Sequence, residues 1–203
     1  MFEKDKLISV IENIGDIKTK QLFPTELAEK IYDFLNIFKP KTKDELEEAV
    51  NEWTYNKEEA ITKYGEISSW DTSLITDMSN LFKNNKIFND DISNWNVSNV
   101  INMNRMFNRA YSFNQPLNNW NVSNVKYMRN MFDDAKSFNQ PLNNWNVSNV
   151  TRMDYMFKDA LSFNQPLNNW NVSNIRYMRS MFYTTIRNSF NQPLNNWNVS
   201  NVK

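Results

Sequence analysis

Chemistry that depends on histidine or cysteine has nothing to run on here, because the 203-residue chain contains neither. Without His the commonest general base at neutral pH and the commonest neutral metal ligand are gone. Without Cys there are no thiolate nucleophiles, thiolate-bound metals or disulfides. Carboxylates, lysines, tyrosines, hydroxyls and thioethers remain. The paired acids Asp90-Asp91 and Asp133-Asp134 are the carboxylate clusters of the repeated part. Neighbours on a helix diverge, and neither a glycine-rich loop nor a third ligand accompanies them, so they read as solvated acids and not as a calcium or acid–base site. Met103 with Met106, and Met128 with Met131, are spaced three apart at core phase and read as flexible filler. No catalytic residue, metal or cofactor is expected, and the chain reads as non-enzymatic.

What would position any functional residue is a repeat. Trp70, Trp95, Trp120, Trp145, Trp170 and Trp197 recur at spacings of 25, 25, 25, 25 and 27 residues, the self-similarity of units that bury an apolar side only against their neighbours. Leu117, Trp120, Val122 and Val125 give Leu-x-x-Trp-x-Val-x-x-Val, a leucine-rich-repeat spacing with Trp at the second leucine. Period 2 from Trp120 to Val122 predicts a short strand over 119–123, and Val125, Met128, Met131, Phe132 and Ala135 form a helical stripe. The fold expected is therefore α/β: a leucine-rich-repeat-like, right-handed solenoid of ~25-residue strand–helix repeats. Its core would hold the six tryptophans with Met103, Met128, Met153, Met178, Phe107, Phe132, Phe157 and Phe182.

Two outward faces are candidates for binding. The strand face is uniform: Asn94, Asn96, Ser98, Asn119, Asn121, Ser123, Asn144, Asn146, Ser148, Asn169, Asn171 and Ser173. It reads either as a multivalent surface or as amides hydrogen-bonded along the stacking axis. The helix face varies from copy to copy and is basic, with Arg105, Lys126, Arg129, Arg152, Arg176 and Arg179.

Residues 1–66 lack the repeated phrase and read as four short helices capping the array of residues 67–203. The first carries Phe2, Leu7, Val10 and Ile11, and the second opens at Pro24 with Leu27, Ile31, Phe34, Leu35 and Phe38 on one stripe. The third starts at the Thr42-Lys43-Asp44-Glu45 box and buries Leu46, Ala49, Val50 and Trp53; the fourth runs from Asn56 to Gly65. Within residues 23–38, Phe23-Pro24-Thr25-Glu26-Leu27 onward resembles the opening of an F-box, which implies an adaptor that recruits a ubiquitin ligase.

Formal charge is zero but polarised: residues 1–95 carry 12 Lys or Arg against 19 Asp or Glu, and residues 96–203 carry 11 against 4. That asymmetry fits an anionic partner for the second half, or attraction between copies of the molecule. A protein partner is the leading expectation; a purely structural role without a specific ligand is an alternative, and nucleic acid is the weaker reading. The amino terminus has no signal-peptide core and no segment is apolar enough to span a membrane, so a cytoplasmic location is expected, with the cell surface as the alternative if a leader precedes this sequence. The last copy breaks off at Lys203, which suggests either a truncated boundary or end-to-end self-association there.

The phrase Trp-Asn-Val-Ser-Asn-Val-x-x-Met-x-x-Met-Phe-x-x-Ala-x-Ser-Phe-Asn-Gln-Pro-Leu, with the lead-in from Glu45 to Trp53, resembles the BspA-like leucine-rich-repeat surface proteins. The resemblance covers about four fifths of the chain. It implies a non-enzymatic adhesion or binding role, with no catalytic residues to carry over.

Overall fold

The computed structural model describes residues 37–186 and 189–203. The first two expected helices, and the F-box-like stretch up to residue 36, lie outside the described residues. Lys39–Lys203 form one compact unit. It opens with α1, Lys43–Tyr55, and α2, Lys57–Tyr64, where the capping signals place them. Thr42 accepts the Glu45 N–H at 3.2 Å and the Glu45 carboxylate accepts the Lys41 N–H at 2.6 Å, which satisfies two donors at the start of α1. Leu46, Ala49, Val50 and Trp53 share its buried face. α2 stops at Gly65, whose φ of 70° is open to glycine at little cost. A single 3-10 turn, Ile67–Ser69, follows.

Beyond Ser69 the described residues contain no helix and no strand, so the expected α/β leucine-rich-repeat solenoid is not what forms. The predicted strand over 119–123 is instead two tight turns, closed by Trp120 N–H to Leu117 O at 3.1 Å and Val125 N–H to Val122 O at 2.9 Å. The predicted helix from Val125 to Ala135 is also a run of turns. Its backbone bonds alternate between two kinds of partner. Met131, Asp133 and Ala135 donate three residues back, to Met128, Asn130 and Phe132. Met128, Asn130, Phe132 and Asp134 donate instead to Arg152, Asp154, Met156 and Lys158 of the next copy, at 2.7–2.9 Å. A helix would need every one of these N–H groups four residues back. Here four of the seven leave the copy altogether and tie it to its neighbour.

Parallel pairing between copies consists of isolated bridges in one column, Asp77 to Asn102, Tyr127, Arg152 and Tyr177. This turn chain requires left-handed backbone at two places per copy. They are Asn80, Arg105, Asn130, Tyr155 and Ser180, then Asn84, Arg109, Asp134 and Asp159, with φ between 52° and 64°. None is glycine, so each of these sites carries a steric cost of ~1 kcal/mol. Arg109→Gly is accordingly expected to raise stability by about 1 kcal/mol, because the ion pair it loses, to Asp134 at 3.9 Å, is exposed and weak. In a helix the same change would lower stability by a similar amount. Denaturant unfolding of the variant reads the sign directly.

The interior is a set of columns. Phe82, Phe107, Phe132, Phe157 and Phe182 stack with centroids 5.3, 5.4, 5.5 and 5.7 Å apart. Phe88, Phe113, Phe138, Phe163 and Phe190 make a second column at 5.8–6.1 Å. Trp145, Trp170 and Trp197 are 6.4 Å apart and parallel. Paired backbones elsewhere sit about 4.8 Å apart, so the copies fan open from the hydrogen-bonded turn band towards the tryptophans.

Trp70, Trp95, Trp120, Trp145 and Trp170 are buried, as are Met103, Met128, Met153, Phe107, Phe132 and Phe157; Trp197, Met178 and Phe182 are half-buried. Trp70 donates its indole N–H to Gly65 O at the end of α2, and from Trp95 onward each indole donates to a carbonyl of the preceding copy, as Trp120 does to Ile92 at 3.2 Å and Trp145 to Leu117 at 2.8 Å. Inside an apolar core that bond removes the penalty of an unpaired N–H, and it makes each Trp a key between two copies. α1 and α2 cover the first copy: the Trp53 ring meets Trp70 edge-on at 5.9 Å and its N–H reaches Asp90 at 2.8 Å.

Candidate binding surface

The turns that close each copy decide what its two outward faces can offer. On the Asn/Ser face, Asn94, Asn96, Asn119, Asn121, Asn144, Asn146, Asn169 and Asn171 are exposed, while Ser98, Ser123, Ser148 and Ser173 are half-buried. Much of this polarity is used internally. Asn96, Asn121, Asn146 and Asn171 each accept the N–H of the serine two residues on, at 3.1–3.2 Å, which pins the second tight turn. The axial ladder runs through the amides just beyond that turn: Asn99, Asn124, Asn149 and Asn174 donate to Ser73, Ser98, Ser123 and Ser148 carbonyls at 2.7–2.8 Å. A second ladder lies at the return corner, where the side-chain oxygens of Asn89, Asn114, Asn139 and Asn164 accept the backbone N–H of Asn114, Asn139, Asn164 and Asn191.

The basic face lies on the turn band. The alternating ladder brings residues one copy apart into columns: Ile101, Lys126, Thr151 and Arg176 form one, and Asn104, Arg129, Asp154 and Arg179 another. Arg105, Lys126, Arg176 and Arg179 are exposed. Among the described residues Arg105, Lys126 and Arg176 have no ion pair, and Arg179 has only the ring of Tyr155, 5.9 Å away. Arg152 is partly committed, to Asp154 at 3.1 Å and to the face of Tyr177 at 4.7 Å. Arg129 is half-buried, and its Nε has no hydrogen-bond partner among the described residues.

Sequence reasoning found these cations but missed what lies between them. Tyr127 and Tyr177 are 39% and 38% exposed in the bridge column, and Ile101 is 40% exposed beside them. Ile101, Leu74 and Lys126 line a shallow depression of about 470 Å³ across three copies. The available signal was the column itself, since Tyr127 and Tyr177 each follow a cation by one residue.

The acid pairs are held by neighbours. Asp90 accepts from Trp53 and, at 2.7 Å, from Lys57. Asp133 lies near Lys158 at 3.6 Å, and Asp134 near Lys136 and Arg109 at 3.7 and 3.9 Å. Burial pushes the Asp133 carboxyl above its usual range despite the Asn130 hydrogen bond and the Lys158 charge. Lys39 and Ser73 hold Asp71 down at about 2. No group of three or more acids among the described residues could hold a metal ion, and no helix there is long and apolar enough to cross a membrane.

Comparison with curated proteins and with solved structures yields no match. A family model described as Mycoplasma protein of unknown function, DUF285, matches residues 45–153 and 128–203, which together take in the repeats, α2 and all but the first two residues of α1. Since that match spans well over half of the sequence, the chain belongs to the DUF285 family of Mycoplasma proteins of unknown function.

Proposed function

We propose that the protein is a non-enzymatic scaffold that holds a protein partner on the basic turn band, and that the Asn/Ser face is its supporting wall. The observation behind this reading is the row of exposed cations without counter-ions, Arg105, Lys126 and Arg176, interleaved with exposed Tyr127 and Tyr177. Arg and Tyr are the residues that dominate protein interfaces, and an unpaired cation gains most from an incoming carboxylate. On the Asn/Ser face, by contrast, the amides of Asn96, Asn121, Asn146 and Asn171 already serve the turns and those of Asn99, Asn124, Asn149 and Asn174 the axial ladder. A place among the BspA-like repeat surface proteins, with an adhesive role, is the finer assignment; it draws on the Trp-Asn-Val-Ser-Asn-Val phrase.

The test compares two triple variants in affinity capture. Lys126→Glu with Arg176→Glu and Arg179→Glu is expected to lose the proteins retained by the parent chain, by tenfold or more on the scale of several interfacial charge pairs. Asn119→Thr with Asn144→Thr and Asn169→Thr is expected to keep them. The reverse pattern would place binding on the Asn/Ser face.

A further inference from the structure

Resting on that reading of the basic band, we infer that its ligand is an acidic α-helix of a partner protein, laid along the stacking axis with one carboxylate per turn. The argument begins with spacing. Copies are about 4.8 Å apart where backbones pair, and 5.3–5.7 Å apart at the Phe82 to Phe182 column just inside the band. An α-helix advances 5.4 Å per turn, so residues at i, i+4, i+7 and i+11 recur along one face at nearly the copy spacing. Each copy from residue 101 onward presents at least one cation: Arg105, then Lys126 and Arg129, then Arg152, then Arg176 and Arg179. A helix running along this row meets exposed cations at Arg105, Lys126, Arg176 and Arg179, and between Lys126 and Arg176 it meets Arg152, which exchanges Asp154 for the incoming carboxylate. Long Lys and Arg side chains absorb the residual mismatch of up to about 0.6 Å per copy.

The non-polar content of the row fits the same ligand. Ile101, Tyr127 and Tyr177 are each roughly two-fifths exposed, and Leu74 is 50% exposed at the N-terminal end of the row. These give an apolar seam beside the cations, as a helix with an acidic edge and an apolar edge requires. An extended acidic strand fits less well, because its same-side residues recur about every 6.8 Å and fall out of step within two copies.

The probe is a fluorescein-labelled, alanine-rich 20-residue peptide with Leu at two positions and Glu at i, i+4, i+7 and i+11. Its control is an isomer of the same composition with the four Glu spread around the helix. Helicity of both is checked by circular dichroism, and binding to the full chain is read by anisotropy at low salt. The in-register peptide is expected to bind about tenfold more tightly than the isomer, the sum of several weak ion pairs. Lys126→Glu with Arg176→Glu is expected to remove that preference while leaving the thermal transition in place. Equal binding of the two peptides would overturn the helix geometry yet leave an acidic partner intact. Retention of the captured proteins by the charge-reversed chain would instead sink the reading beneath it. A concentration-dependent dimer in light scattering, abolished by the same substitutions and unaffected by either peptide, would assign the row to a second copy and overturn the proposal.

Discussion

Phe132→Ala is expected to lower stability by about 3–5 kcal/mol, a large share of what a domain of this size possesses. Phe132 is fully buried and touches four rings: Phe107 at 5.4 Å, Phe157 at 5.5 Å, Phe138 at 4.1 Å and Trp145 at 6.4 Å. Removing it opens a cavity in the middle of a column whose other members are fixed by the backbone ladder of their own copies, so the site cannot collapse to fill the gap. The midpoint of denaturant unfolding should fall with little change in slope. Tyr55→Ala makes the contrast, since that side chain is 86% exposed and its loss should stay within about 0.5 kcal/mol. A loss below ~1 kcal/mol at Phe132 would mean that the rings do not form a continuous column.

Removing a whole copy should be far gentler than removing one residue. Deletion of residues 126–150 joins Val125 to Thr151, so that the copy starting at Ile101 meets the copy starting at Thr151. Met103 can then donate to Arg152 where it now donates to Tyr127, and the Trp170 indole can use Leu117 O where it now uses Leu142 O. The shortened chain is expected to unfold cooperatively at a lower temperature, by roughly the contribution of one repeat and one interface. Deletion of Asn130 alone should instead abolish cooperative folding. It inverts the alternation in which Met128, Asn130, Phe132 and Asp134 point their N–H groups to the next copy, and the rest of the turn would face its carbonyl partners out of phase. The native two-residue insertion is placed accordingly. It lies between Phe182 and Phe190, at the return corner, where Thr185 N–H is caught by the Asp159 side chain and not by a backbone ladder. A single-residue deletion that melted like the parent would contradict the ladder.

The repeat and the two capping helices could be read from sequence because their signals are local or periodic. The 25-residue spacing of Trp is explicit, and Thr42 and Gly65 mark helix ends by side-chain and backbone chemistry that needs no tertiary context. The strand–helix alternation was misread for a physical reason. Val125, Met128, Met131, Phe132 and Ala135 have spacings of 3, 3, 1 and 3, which place side chains inward equally well on a helix or on a series of three-residue turns. The choice is made by hydrogen-bond partners 24 residues away, as from Arg105 N–H to Arg129 O, and no local signal reports it. Glycine would have marked the left-handed positions, but Arg105, Arg109 and Tyr155 occupy them.

The candidate surface was half legible. Arg105, Lys126 and Arg176 stood out by charge. Tyr127, Tyr177 and Ile101 did not, because on the expected helix their phase was ambiguous and only the bridge column lines them up. Of the amides that recur on the uniform face, Asn124, Asn149 and Asn174 form the axial ladder, because their place beyond the second turn lets them reach back to the preceding copy, while Asn121, Asn146 and Asn171 pin the turns.

Every column on the binding surface depends on alternate amides of the turn band bonding to the following copy. Scalar couplings across hydrogen bonds, read in a long-range HNCO spectrum of the labelled protein, identify those acceptors one by one. The pairs Met103 to Tyr127, Arg105 to Arg129, Phe107 to Met131 and Arg109 to Asp133 are expected. Correlations from Phe107 to Met103 and from Arg109 to Arg105, the four-residue pattern of a helix, would contradict the turn band and the row of cations it sets in line.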